Sequence, residues 1–211
     1  EGSRWIVAHL GMTGSFHLAD PKTPYGKHDH LAWQLDDGRS LRFNDPRRFG
    51  SIEVTESDPA TGEPSALPRL GLEPLGRDFT GATLFAATRG RATAIKLYLL
   101  DQRRVAGIGN IYASEALHRA GIRPQRRAQR LTRDECQRLA KAIKDVLRRA
   151  IRAGGTTLRD YRQLDGSTGF FRVKLLVYDR AGELCPTCGQ ASIKRSILGG
   201  RSTFHCPACQ R

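Results

Sequence analysis

A chain of 211 residues has room for one or two domains plus a small module, and an apolar fraction of 39% is enough for packed cores. No run approaches the length of a membrane span and no secretory leader is visible, which points away from membrane and secreted classes and towards a reducing cytoplasm. The formal charge of +14 is polarised: residues 1–80 hold 9 Lys and Arg against 12 Asp and Glu, and residues 81–211 hold 26 against 9, which is the electrostatic footprint of a partner built from phosphates.

The chain enters on a strand, Trp5 to Leu10, with nothing before it to pair with, so an upstream segment is expected. Gly11-Met-Thr-Gly14 reads as a turn and Ser15 to Leu18 as a second strand. A loop rich in Pro, Lys and His runs to His30. Leu31–Leu35 and Ser40–Phe43 flank Asp36-Asp-Gly-Arg39, a hairpin signal. Asn44-Asp-Pro-Arg-Arg-Phe-Gly50 is a loop carrying adjacent arginines and an aromatic, and Ser51 to Val54 is a further strand. This part is therefore antiparallel β, too short for a complete sandwich. The stretch 55–75, with Pro59, Pro64, Pro68 and Pro74, reads as a linker.

From Thr80 the period becomes helical. Helices are predicted over Ala82–Thr88 and Ala94–Leu100, then over Ile111–Ala120 with Asn110 as N-cap and Gly121 as stop. Thr132-Arg-Asp-Glu135 is a capping box opening a helix that runs to about Ala153. Cys136, Leu139, Ala140, Ile143, Val146, Leu147, Ala150 and Ile151 make its apolar stripe, so Cys136 is a small core residue and not a ligand. Gly154-Gly-Thr-Thr157 ends that helix, and Lys174 to Tyr178 is predicted as a strand leading into the last module.

That module, Cys185 to Cys209, holds two C-x-x-C pairs. Two such knuckles supply the four sulfurs of a closed tetrahedral zinc site, structural because no position stays open. Two disulfides are the alternative; the fifth cysteine far upstream and the reducing setting favour metal. Between the knuckles, residues 193–198 and 202–204 read as short strands joined at Gly199-Gly200, with Lys194, Arg195 and Arg201 on the hairpin. A finger of this kind is expected to fold as a separate module, so that Cys206→Ser would unfold residues 185–209 and spare the helices.

Val105-Ala-Gly-Ile-Gly-Asn-Ile-Tyr112 places two glycines before a helix N-terminus, where backbone N–H groups and Asn110 can meet a phosphate; Lys96, Arg103 and Arg104 favour that over a plain packing turn. Met12, Arg47 and Phe49 lie on loops of the β part and could enter a base stack, although core packing is the stronger reading of Met12 and Phe49 from residue type alone.

His9-Leu-Gly-Met-Thr-Gly14, Asn44-Asp-Pro-Arg-Arg-Phe-Gly50, Leu99-Leu-Asp-Gln102, Val105 to Glu115, Gly154-Gly-Thr-Thr-Leu158 and the four-cysteine finger, in this order, together resemble bacterial formamidopyrimidine-DNA glycosylase, almost end to end. The resemblance implies an α+β protein: the remainder of an antiparallel β-sandwich at 1–65, a helix–two-turns–helix domain at 66–157, a lesion-capping loop and connecting strand at 158–184, and a β-hairpin zinc finger at 185–211. It implies a monomer that binds double-stranded DNA containing oxidised bases in a bacterial cytoplasm, removes 8-oxoguanine and formamidopyrimidines, and cuts the strand by β,δ-elimination. Carried over by position, Met12, Arg47 and Phe49 match the wedge that fills the gap left by the flipped base. His28, Arg47 and Arg91 match DNA contacts, with Arg91 where the family often has Lys. Lys96 and Asn110 match phosphate binders, and Arg201 matches the finger arginine assigned to phosphate binding and δ-elimination. Cys185, Cys188, Cys206 and Cys209 match the zinc ligands, and Gly166 to Phe170 falls in the capping loop.

Family members begin Pro-Glu, whose proline amine attacks the sugar, and use a lysine for β-elimination. None of these three stands in residues 1–211, so this stretch by itself is expected to be inactive and to give no borohydride-trapped imine. A non-catalytic zinc-dependent nucleic-acid-binding protein and a truncated lesion-binding paralogue remain the alternatives. The wedge and capping loop speak against the first, and a coding sequence upstream that begins Met-Pro-Glu would set aside the second.

Overall fold

The structure is a computed structural model that describes residues 4–11, 13–66, 70–153 and 175–211. It divides into two compact units, one formed by the residues up to Pro68 and the other by Arg69–Arg152 with Val173–Arg211. Met12, Gly154 to Leu158 and Gly166 to Phe170 lie outside the described residues. Among those described, no helix is long and apolar enough to cross a membrane.

The first unit is antiparallel β throughout. Strands β1 (Arg4–His9) and β5 (Ser51–Glu56) pair in one sheet, and β2 (Ser15–Ala19), β3 (Asp29–Gln34) and β4 (Ser40–Asn44) form another in the order β2-β4-β3. The Asp36–Arg39 turn closes as the sequence predicts, with Gly38 at φ +82 and Gly38 N–H donating to Leu35 O. Alternation along β2 and β4 brings Phe16, Phe43 and Trp33 into one tilted aromatic cluster, with centroids 5.4 and 6.0 Å from Phe16.

The second unit holds helices α1 (Gly81–Thr88), α2 (Ile95–Leu100), α3 (Asn110–Ala120) and α4 (Arg133–Arg152), then strands β6 (Lys194–Leu198) and β7 (Arg201–His205). Thr80 caps α1, and Thr132 and Glu135 exchange the two bonds of the predicted capping box at α4. The α4 stripe is buried against α1 and α3, with Cys136 fully inside. Ile151 departs from it and is exposed, because it stands about 100° around the helix from buried Ala150. A second, smaller core gathers Val177, Cys185, Ile193, Phe204 and Cys206.

Three expectations are corrected. Residues 70–75 are not a loose linker: Gly71 N–H donates to Gln102 O, Leu72 bridges to Val105, and Leu72 packs on the helical core. The N-cap of α3 is Gly109, in extended conformation, and Asn110 is the first helical residue with its amide committed elsewhere. Leu175–Tyr178 is not a strand, because the N–H groups of Leu176, Val177 and Tyr178 all donate to the buried Glu115 carboxylate, at 2.9, 2.9 and 3.0 Å.

Candidate nucleic-acid interface

Local chemistry in the second unit builds a cationic constellation at the junction of α2, α3 and β7. Lys96, in the first turn of α2, is fully buried (0% exposed), and its Nζ donates to Ser202 O at 3.0 Å and to Thr203 Oγ1 at 2.8 Å. Asn110 Nδ2 donates to the same Ser202 O at 3.0 Å. Exposed Arg201 precedes Ser202 on β7, so three predicted phosphate contacts converge on one stretch of the finger hairpin. Burial first, and then the Arg201 charge, push the Lys96 pKa down to about 8. Among the described residues no carboxylate pairs with Lys96 or Arg201. Uncompensated cations next to one another are what a phosphate would relieve.

The glycines before α3 leave this face open. A Cβ on Gly107 or Gly109 would meet nothing within 4 Å, and Gly107 sits at φ +68. Gln102 holds the loop, accepting from Gly107 N–H at 2.8 Å and donating to Ile108 O at 3.1 Å. Arg91 is exposed on the connection between α1 and α2. Neighbouring Arg89 does structural work there, donating to Gln129 O and Leu131 O.

Every element of the metal centre comes from the finger. The Sγ atoms of Cys185, Cys188, Cys206 and Cys209 lie within 4.8 Å of one another, with Cys185–Cys209 at 3.8 Å and Cys188–Cys206 at 3.7 Å. Bonds of about 2.3 Å at tetrahedral angles give a sulfur–sulfur separation of roughly 3.8 Å, so the donor set fits a closed four-thiolate site. Backbone N–H groups of Gln190 and Ala191 lower the pKa of the Cys188 thiol, while burial and the neighbouring sulfurs raise those of Cys206 and Cys209, so the four thiols crowd one another. The hairpin turns through Gly199 and Gly200, at φ +57 and +72, and a Cβ on Gly199 would strike Leu97 at 2.6 Å.

Outside the sulfurs, the finger is tied to α3 by a network that sequence reasoning missed. His118 lies between Gln210 Oε1, at 3.2 Å, and Thr187 Oγ1, at 2.9 Å, and burial pushes its pKa down. Gln210 also accepts from Cys206 N–H at 2.9 Å and donates to Ile122 O at 2.8 Å. His118 on the buried side of a helix gave no signal that its partners lie beside the knuckles.

In the first unit the site is a loop cluster. Phe49 is 57% exposed, and the Arg47 guanidinium stacks over its ring at 4.7 Å. Core packing therefore does not explain Phe49. Asp45 in the same loop is buried, and Arg48, between Arg47 and Phe49, adopts φ +55, a left-handed conformation that an L side chain rarely takes. His28 is half-buried, its carbonyl accepting from Asp45 N–H at 3.0 Å. The loop before it is organised by Arg42, whose buried guanidinium donates to Thr23 O at 2.6 Å and Pro24 O at 2.9 Å and stacks at 4.3 Å on Tyr25.

Comparison with known proteins shows the family of the chain. The family described as "Formamidopyrimidine-DNA glycosylase N-terminal domain" matches residues 1–52, and "Formamidopyrimidine-DNA glycosylase H2TH domain" matches residues 70–162. A relative from Thioalkalivibrio sulfidiphilus named formamidopyrimidine-DNA glycosylase is 52% identical over 98% of this chain and 75% of its own length. The solved MutM (Fpg) protein of Thermus thermophilus is 43% identical, with a TM-score of 0.85 over 100% of this chain and 77% of its own. A structure of MutM in complex with carbocyclic 8-oxo-G containing DNA is 36% identical, with a TM-score of 0.86 over 100% of this chain and 76% of its own. The chain thus spans about three quarters of the length of these proteins.

Proposed function

We propose, because this chain belongs to the formamidopyrimidine-DNA glycosylase family, that it acts in base-excision repair of DNA, removing 8-oxoguanine and formamidopyrimidines and opening the resulting abasic site by β,δ-elimination. The partner is double-stranded DNA containing an oxidised base, met by a monomer in the bacterial cytoplasm. The metal is zinc, held by Cys185, Cys188, Cys206 and Cys209, and its chemistry is to fix the hairpin and not to react.

The observation that carries the reading is the buried Lys96 ammonium beside Arg201, with no carboxylate among the described residues to balance it. Lys96, Asn110 and Arg201 hold phosphates, and His28 and Arg91 add further backbone contacts. The Arg201 guanidinium offers several N–H donors and no acceptor, so its part in δ-elimination is to bind and neutralise the departing phosphate. Phe49, exposed and stiffened by Arg47, fills the stack vacated by the flipped base together with Met12.

Binding is tested with a duplex bearing one 8-oxoguanine and with its undamaged counterpart, over a range of salt. We expect preference for the lesion and, for about six neutralised phosphates, a slope of log K against log salt near −5. Equal binding of both duplexes with a flat salt response overturns the reading. Base release and strand cleavage are read with the intact gene product.

A further inference from the structure

Three segments of the first unit, at Thr13, at His28–His30 and at the 45–50 loop, are tied together through Asp45. Asp45 is 1% exposed. Its Oδ1 accepts from Thr13 Oγ1 at 2.6 Å, and its Oδ2 accepts from Gly50 N–H at 2.8 Å. Thr13 Oγ1 in turn accepts from Arg47 N–H at 3.4 Å, so the hydroxyl relays the carboxylate to the residue that stacks on Phe49. The Asp45 main chain is equally engaged: its N–H donates to His28 O at 3.0 Å, and its carbonyl takes Arg48 N–H at 3.3 Å and lies 2.9 Å from His30 Nε2. The Thr13 bond, followed by the N–H groups of Gly50, Arg47 and Phe49, holds the carboxyl below its usual range, so it is an anion at neutral pH.

The loop it holds would not keep this shape unaided. Arg48 sits at φ +55, a strained conformation for a bulky residue. Gly50 has no room for a side chain, since a Cβ would meet Phe43 at 2.7 Å and Asp45 Oδ2 at 3.1 Å. Gly11, at φ +65, lies against the Phe49 backbone, where a Cβ would come within 2.7 Å. A buried anion that draws the turn's N–H groups inward leaves the Arg47 and Phe49 side chains only the outward direction.

We propose that Asp45 is the positioning residue of the base-stack wedge: its carboxylate, through Thr13 and Gly50, fixes Arg47 and Phe49 in the inserting pose and keeps them in register with His28. The inference rests on the wedge reading of Phe49 given above. Asp45 touches no DNA in this account and acts only through the loop it shapes.

The test is a double-mutant cycle read on lesion preference, the ratio of affinities for 8-oxoguanine and undamaged duplex. A 2-aminopurine beside the lesion reports unstacking by its fluorescence. Phe49→Ala should lower the preference about tenfold. Asp45→Asn should lower it by a similar factor, suppress the fluorescence rise, and leave affinity for undamaged duplex within about twofold. The double variant should lose no more than either single one. If Phe49→Ala keeps the full preference, the wedge reading itself fails and this inference with it. If Phe49→Ala loses preference while folded Asp45→Asn keeps it, or if the two losses multiply, the wedge stands and the role of Asp45 is overturned. Should melting show that Asp45→Asn does not fold, Thr13→Val decides: it removes the relay alone and should lower the preference severalfold, and an unchanged preference overturns the proposal.

Discussion

The Lys96 ammonium lies 3.0 Å from the Ser202 carbonyl oxygen, joining the first turn of α2 to the second strand of the metal hairpin. Asn110 from α3 shares that oxygen. The finger is therefore not an appendage. It supplies the acceptors for a cation buried among the helices, and His118 with Gln210 repeats the link near the other end of α3.

Metal removal should consequently reach the helices. Losing the hairpin would leave Lys96 and His118 without their hydrogen-bond partners, each at about 1–3 kcal/mol or more. Such a sum is a large share of a domain's total of about 5–15 kcal/mol. Cys206→Ser, or chelation, should lower the melting temperature of α1–α4 as seen by far-ultraviolet circular dichroism, where the cysteine spacing alone suggested an independent module. An unchanged helical melt would show that the two parts fold separately.

Alkaline pH should act through Lys96. Its pKa falls from 10.5 to about 8 on folding, so between these values the unfolded chain binds more protons than the folded one. The destabilising effect of burying the charge is fully present below about pH 8, fades as pH rises, and is gone above about 10.5. DNA affinity follows the opposite course, because a deprotonated Lys96 no longer attracts phosphate. We expect binding to weaken between pH 8 and 9 more in the wild type than in Lys96→Met. Parallel profiles for the two proteins would remove Lys96 from the phosphate contacts.

Much of this was legible in the chain because it is written in local spacing. The knuckle pairs announce the metal site, and the Thr132–Glu135 box with the α4 stripe announces the longest helix. The failures share a cause: a partner distant in sequence took a group that local pattern had assigned elsewhere. Asn110 reads as a cap until Ser202 takes its amide. Val177 reads as strand until Glu115 takes its N–H. Residue type also left Phe49 between core and surface, and only the folded loop, with the ring 57% exposed, decides for surface.

Arg201 should contribute charge with little effect on fold. It is exposed and joined to no carboxylate among the described residues. Arg201→Ala should reduce the magnitude of the salt slope by about one while the melting temperature moves little. Arg201→Lys should restore the slope, since counterion release counts charges, yet not full affinity, since the bidentate fork is lost. A slope unchanged in Arg201→Ala would place the finger arginine away from phosphate.

Glu115 gives the sharpest structural test, because one carboxylate serves three consecutive backbone groups. Its side chain is buried on α3, with Oε2 accepting from Leu176 N–H and Oε1 from both Val177 and Tyr178 N–H. These bonds replace the ladder that a strand would have used, and they set the entry into the finger core, where Val177 is buried and Tyr178 meets the Phe204 ring edge-on at 5.0 Å. Glu115→Gln keeps the shape but removes the charge and turns one acceptor oxygen into a donor that faces an N–H. The cost should be about 2–3 kcal/mol, at the upper end for single hydrogen bonds to charged groups, and a melting temperature lower by roughly 4–12 °C for a chain of this size. The Cys185–Cys209 module should still bind one metal ion per chain, now more weakly, because the knuckles themselves are intact. A variant that melts within a degree of the wild type would mean that Leu176–Tyr178 find other acceptors, and that the carboxylate does not hold this segment against α3.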